Sequence, residues 1–88
     1  MASYSVRFKP SVEKDLRDLP KGTVSRVMLR IDSLAANPFP PGSAKIVSTR
    51  RMYRVRVGDY LIVYEVDSSA EIVTVHYVRH RREVYRRI

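Results

Sequence analysis

The segment from Tyr53 to Tyr64 restricts the fold more than any other part of the chain. Two alternating runs, Tyr53-Arg54-Val55-Arg56-Val57 and Tyr60-Leu61-Ile62-Val63-Tyr64, flank Gly58-Asp59. Alternation on both sides of a two-residue, glycine-containing break specifies a β-hairpin. The turn length sets the register: Val57 opposes Tyr60, Val55 opposes Ile62, and Tyr53 opposes Tyr64, so these six side chains share one face. Arg54 and Arg56 project from the other, opposite Val63 and Leu61. An isolated hairpin is not stable in water, so the rest of the chain must supply further strands and a cover for the apolar face.

That cover is legible upstream. Tyr4 to Phe8 alternates as a strand and Pro10 closes it. Ser11 is placed to cap a helix in which Val12, Leu16 and Leu19 form the apolar stripe, with Glu13, Lys14, Asp15, Arg17 and Asp18 toward water. Val24, Val27, Met28, Ile31, Leu34 and Ala35 make a second helix that Asn37-Pro38 stops, and Leu19-Pro20-Lys21-Gly22 joins the two antiparallel. After the breaker-rich loop Phe39-Pro40-Pro41-Gly42, a short strand is expected from Lys45 to Ser48. A central strand follows from Glu71 to Val78 after a turn at Ser68-Ser69, and a terminal helix from Arg82 to Ile88. The expected class is α+β: an N-terminal strand, a helical hairpin, a mainly antiparallel sheet of three to four strands and a short C-terminal helix. With 88 residues, one domain spans 1–88.

Charge is distributed unevenly over this frame. Arg50 to Val57 and Arg79 to Arg87 hold nine arginines and one acid, Glu83, a balance of +8 that equals the net charge of the whole chain. The remaining residues sum to zero. Concentrated guanidinium suits phosphate, because its planar fork of donors does not deprotonate at physiological pH, and the pattern implies a nucleic-acid site. Cysteine is absent, so no disulfide or thiolate-bound metal is expected, and no carboxylate cluster has metal-ligand spacing. No apolar run approaches the roughly 20 residues of a spanning helix, and no signal peptide is apparent. A cytoplasmic protein without a membrane association is the expectation.

Several segments, taken in order, resemble the RelE toxins of the RelE/ParE superfamily: Lys14-Asp15-Leu16-Arg17-Asp18-Leu19-Pro20, Asn37-Pro38, Tyr53 to Tyr60, Val63-Tyr64 and His80-Arg81-Arg82-Glu83-Val84-Tyr85. The resemblance spans nearly the whole chain. It implies a type II toxin that enters the aminoacyl-tRNA site of the ribosome and cuts messenger RNA by attack of a 2′-hydroxyl on its adjacent phosphate, and it implies a cognate antitoxin in a hetero-oligomeric complex. It also assigns residues. The two basic side chains before the hairpin turn match Arg54 and Arg56, and the arginine ending the last strand and the aromatic on the terminal helix match Arg79 and Tyr85, with Arg81 the basic residue between them. Many active relatives carry an arginine immediately after the tyrosine that opens the second hairpin strand, and here that position is Leu61. The register sets Leu61 across from Arg56, so the missing charge belongs beside the retained ones, and an arginine restored there is expected to raise cleavage.

The chemistry needs a base for the 2′-hydroxyl, charge stabilisation at phosphorus and an acid for the 5′-oxygen. Arg54, Arg56 and Arg79 can supply the second, Tyr85 can stack on a base or orient the nucleophile, and His80 is the candidate for proton transfer. Arg50, Arg51, Arg81, Arg82, Arg86 and Arg87 are the expected RNA and ribosome contacts. No cofactor is called for. Each assignment has a structural alternative: Arg54 and Arg56 as the wet face of a strand, Arg79 in an ion pair with Glu65 or Glu71, His80 as a turn residue. His76 within its apolar strand reads as a hydrogen-bonded core residue, and Tyr53, Tyr60 and Tyr64 read as core. Two other functions stand beside the nuclease: a ParE-type toxin acting on DNA gyrase, and an RNA-binding module with weakened catalysis.

Overall fold

In the computed structural model, residues 3–47 and 49–87 are described, the last three without their side chains. The elements run β1 (Ser5–Phe8), α1 (Ser11–Arg17), α2 (Lys21–Ser33), β2 (Ala44–Lys45), β3 (Met52–Val57), β4 (Tyr60–Asp67), β5 (Ile72–His80) and α3 (Arg81–Arg87). The strands form one five-stranded sheet in the order β1-β5-β4-β3-β2, antiparallel except that β1 lies parallel to β5. The expected α+β arrangement is therefore observed, with the N-terminal strand brought back to the sheet edge by the helical hairpin. Among the described residues no helix is long and apolar enough to cross a membrane.

The hairpin has the register expected of its turn, from Met52 opposite Glu65 to Val57 opposite Tyr60. Gly58 adopts φ 59°, which a side chain rarely tolerates, so glycine is required at this first turn position. Val55, Val57, Ile62 and Tyr64 bury their side chains against Val12, Val27, Ile31 and Leu34 of the two helices, and Val73, Val75 and Val78 complete this main core from β5. The Tyr64 hydroxyl donates to the Pro38 carbonyl at 2.8 Å, and burial pushes its pKa up to about 12.

The parity of β5 changes partway. Val63 pairs with Tyr77 but the next residue, Tyr64, pairs with Val75, so His76 is the extra residue of a β-bulge. Before the bulge Val73 and Val75 face the helices; beyond it Val78 does, and Tyr77 joins the opposite side. One inserted residue reverses every later side chain on the strand. The bulge is held from outside, by the Ser11 hydroxyl donating to the His76 carbonyl at 3.3 Å and by His76 Nε2 lying 3.0 Å from Glu65 Oε1. His76 is thus hydrogen-bonded but half-buried, not a core residue. Ser11 is likewise not the cap expected: Pro10 occupies that position, and Ser11 lies inside α1.

On the face opposite the helices, Ile46, Leu61, Val63 and Val84 form a second, smaller core, with Met52 and Tyr77 packed against it. Val84 is the residue through which α3 docks. The expected terminal helix begins one residue earlier than read, at Arg81, whose N–H donates to the Asp59 carbonyl at 2.8 Å. Ser48 and Ile88, which ended expected elements, lie outside the described residues.

A candidate arginine face and its cleft

Three adjacent strands set the centre of the candidate site. Arg56 on β3 pairs with Leu61 on β4, and Leu61 pairs with Arg79 on β5, so two arginines flank one leucine in a row across the sheet. Arg54, Val63 and Tyr77 make the neighbouring row. The bulge at His76 brings Arg79 to this face, because without it Arg79 would point with Val73 and Val75 toward the helices. Arg54 is half-buried and Arg56 exposed.

Leu61 does not leave a gap in the charge. It is 2% exposed and lies beneath Val84 beside Val63 and Ile46, so it belongs to the small core that seats α3. This overturns the expectation that an arginine restored at 61 would add to the clamp: a guanidinium there would have to displace α3 or remain buried between two like charges, at a cost of several kcal/mol.

Arg79 is the most constrained of the arginines. Its guanidinium stacks over the Tyr77 ring at 4.7 Å from the centroid, and its Nε lies 3.7 Å from Asp15 Oδ1. The other Asp15 oxygen accepts the Val78 N–H at 3.2 Å. The partner is thus Asp15 of α1, neither Glu65, which pairs with His76, nor Glu71. Asp15 was expected to face water, yet its side chain is 11% exposed and that of Arg79 23%. The reason is the sheet edge. β1 pairs with β5 only as far as Val75, and beyond it α1 lies along the open edge, where Asp15 satisfies a strand N–H that has no strand partner. Its spacing was the available signal, since Val12, Asp15, Leu16 and Leu19 share one helical stripe.

A cleft of about 480 Å³ opens here, lined by Lys14, Asp15, Asp18, Tyr60, Arg79, His80 and Glu83 among others. Tyr60, expected in the core, instead forms the cleft wall, its ring edge-to-face with His80 at 5.5 Å. His80 Nδ1 accepts the Arg82 N–H at 3.2 Å, an arrangement that puts the proton of a neutral ring on Nε2. His80 therefore both orders the strand-to-helix turn and keeps one ring nitrogen for other use.

The outer arginines are dispersed. Arg50 and Arg82 are exposed and Arg81 half-buried. Arg51 pairs with Asp67 at 3.3 Å, and the bonds that Asp67 accepts from Ala70 and Ser69, with Arg51 nearby, hold its carboxyl below the usual range. The side chains of Tyr85, Arg86 and Arg87 lie outside the described part, although their backbone belongs to α3. Among the described residues, no three His, Asp or Glu side chains are grouped as a metal site.

Comparison with known proteins adds to this geometry. Residues 6–85 match the family described as "ParE toxin of type II toxin-antitoxin system, parDE". The chain is similar to the toxin RelG of Mycobacterium tuberculosis, with 28% identity over 85 residues that cover 96% of this chain and 98% of that protein. Its fold is similar to that in the archaeal RelE–RelB complex of Pyrococcus horikoshii (TM-score 0.80, 28% identity, covering 90% of this chain and 96% of that one). It is equally similar to that in the toxin–antitoxin complex RelBE2 of M. tuberculosis (TM-score 0.80, 25% identity, 92% and 94% covered).

Proposed function

This chain belongs to the ParE toxin family of type II toxin–antitoxin systems, within the RelE/ParE superfamily, and from that premise we propose that it is a ribosome-dependent endoribonuclease that halts translation by cutting messenger RNA. The observation that carries the reading is the arrangement of Arg54, Arg56 and Arg79 on one sheet face, beside a cleft that holds His80. The similarity to toxins named RelE and RelG supports it.

In the proposed reaction the 2′-oxygen forms a bond to the adjacent phosphorus while the bond from phosphorus to the 5′-oxygen breaks. The 2′-hydroxyl proton passes to solvent water, and the 5′-oxygen takes a proton from His80. Arginine is a poor base, since its pKa exceeds about 12, so the arginines act by position and charge on the phosphorane-like transition state. His80 is the proton donor of this scheme, giving up the Arg82 N–H contact at Nδ1 to act as the imidazolium through Nε2–H, and Tyr85, six residues beyond Arg79, orients the RNA. Asp15 is a positioning residue, holding Arg79 from α1. Arg50, Arg51, Arg81, Arg82, Arg86 and Arg87 contact RNA and ribosome, and no metal takes part.

The toxin works where ribosomes are, in the cytoplasm. Solved relatives include complexes of RelE toxins with RelB antitoxins, and a cognate antitoxin that offers acidic groups to the arginine face is proposed here in turn. A second reading, inhibition of DNA gyrase, is favoured by the burial of Leu61 in place of an arginine. Primer extension on programmed ribosomes, run beside a gyrase supercoiling assay, decides between them. New RNA ends with unaffected supercoiling support the nuclease, and blocked supercoiling with intact RNA overturns it.

A further inference from the structure

Two arginines that lie outside the arginine-rich stretches of the sequence meet a third in the folded chain. Arg26 and Arg30 lie one turn apart on the outer face of α2, and they line a groove of about 440 Å³ together with Leu29, Ser33, Arg56 and Gly58. Arg56 reaches it by folding over the β3–β4 turn, its Nε donating to the Gly58 carbonyl at 2.6 Å. Arg30 Nη2 donates to the Pro41 carbonyl at 3.2 Å. Arg26 approaches the same turn, its Nη2 lying 3.4 Å from the position a Cβ would take on Gly58.

Like charges at this spacing on a helix repel, and none of the ion pairs among the described residues involves Arg26, Arg30 or Arg56. Each carbonyl contact uses a single guanidinium nitrogen, leaving the other donors of Arg30 and Arg56 toward the groove. Folding thus concentrates three positive groups and neutralises none. Leu29, 71% exposed between them, offers apolar surface suited to a ribose.

We infer that the groove between α2 and the β3–β4 turn is a second phosphate-binding surface, which holds the backbone of single-stranded RNA. The inference rests on the proposal that RNA is the ligand of this chain, though not on cleavage. RNA is favoured over an acidic polypeptide because Arg56 belongs to both surfaces, so a strand lying along the arginine face enters the groove without a break.

The test measures anisotropy of a short, labelled, uridine-rich RNA with 2′-O-methyl riboses, which cannot be cut, across a salt series. The proteins are wild type, Arg26→Gln and Arg26→Gln/Arg30→Gln, with thermal unfolding run alongside to verify folding; Arg26→Gln alone keeps the test valid if loss of the Arg30–Pro41 contact unfolds the double variant. Each lost phosphate contact should flatten the log–log salt slope by about 0.7 for a single strand and weaken binding about two- to fivefold, while cleavage at saturating toxin stays at the wild-type rate. Unchanged affinity and slope in folded Arg26→Gln, with wild type binding normally, overturn the groove and leave the nuclease reading standing. If poly-glutamate displaces the RNA from wild type but not from Arg26→Gln, and Arg26→Gln binds the RNA as wild type does, the groove serves an acidic polypeptide instead. A wild-type protein that binds no RNA overturns the groove, while the nuclease reading stands or falls by primer extension on programmed ribosomes.

Discussion

The two faces of the sheet are built on different scales. Toward the helices, Val12, Val27, Ile31, Leu34, Ile62, Tyr64 and six valines of the strands are buried in one continuous core, whereas among the described residues the opposite face buries only Ile46, Leu61, Val63 and Val84. A fully buried aliphatic side chain contributes roughly 1.5 to 3 kcal/mol, so the helical face carries most of the stability. The opposite face is thereby left able to collect arginines whose mutual repulsion would be intolerable in a core.

Adjacent residues on β4 offer the sharpest test of this difference. Ile62→Ala should cost about 4 kcal/mol, near the top of the range for such truncations, because the sheet and two helices confine the cavity. Leu61→Ala should cost about 2 kcal/mol, because only α3 closes over it and can follow. Urea midpoints at neutral pH measure both, and equal losses would erase the distinction between the faces.

Function should show the opposite bias. Arg79→Ala is expected to lower single-turnover cleavage on programmed ribosomes by about 10²- to 10³-fold, the usual effect of removing one donor to a developing charge, with little change in unfolding midpoint. A folded variant that cuts at the wild-type rate would remove Arg79 from the site. Asp15→Asn should lower the saturated rate about tenfold while RNA affinity holds or tightens, since a negative charge is lost and the Val78 N–H can still be met. A fall in affinity with no change in saturated rate would make Asp15 merely part of the fold.

The buried hydroxyl gives a smaller effect with a pH signature. Tyr64→Phe leaves the Pro38 carbonyl without its donor and should cost about 1 to 2 kcal/mol at neutral pH. Because the folded-state pKa is raised from 10.0 to about 12, the contribution is complete below pH 10 and lost as pH rises from 10 through 12. Wild type should therefore lose stability more steeply over that window than Tyr64→Phe, as denaturation at stepped alkaline pH would measure. Smallest of all is Arg17→Ala, which breaks an exposed pair with Glu13 and should cost under about 0.5 kcal/mol.

The sequence by itself determined the elements and their local register. Alternation around Gly58-Asp59 set the hairpin pairs, the stripes through Val12 and Val27 set the helices that cover it, and the uneven charge pointed to the stretches 50–57 and 79–87, within which the family resemblance singled out Arg54, Arg56 and Arg79. These features are local, because periodicity and turn chemistry act over a few residues. The tertiary structure decided which side chains meet. Alternation continued along β5 from Val73 would point Arg79 at the helices; the bulge at His76 turns it to the arginine face, and that bulge depends on Ser11 and Glu65, 65 and 11 residues away. The partnership of Asp15 with Arg79, the burial of Leu61 under Val84 and the approach of Arg26 to Gly58 have the same origin. Each joins distant segments through the packing of whole elements, and no local pattern encodes where those elements come to rest.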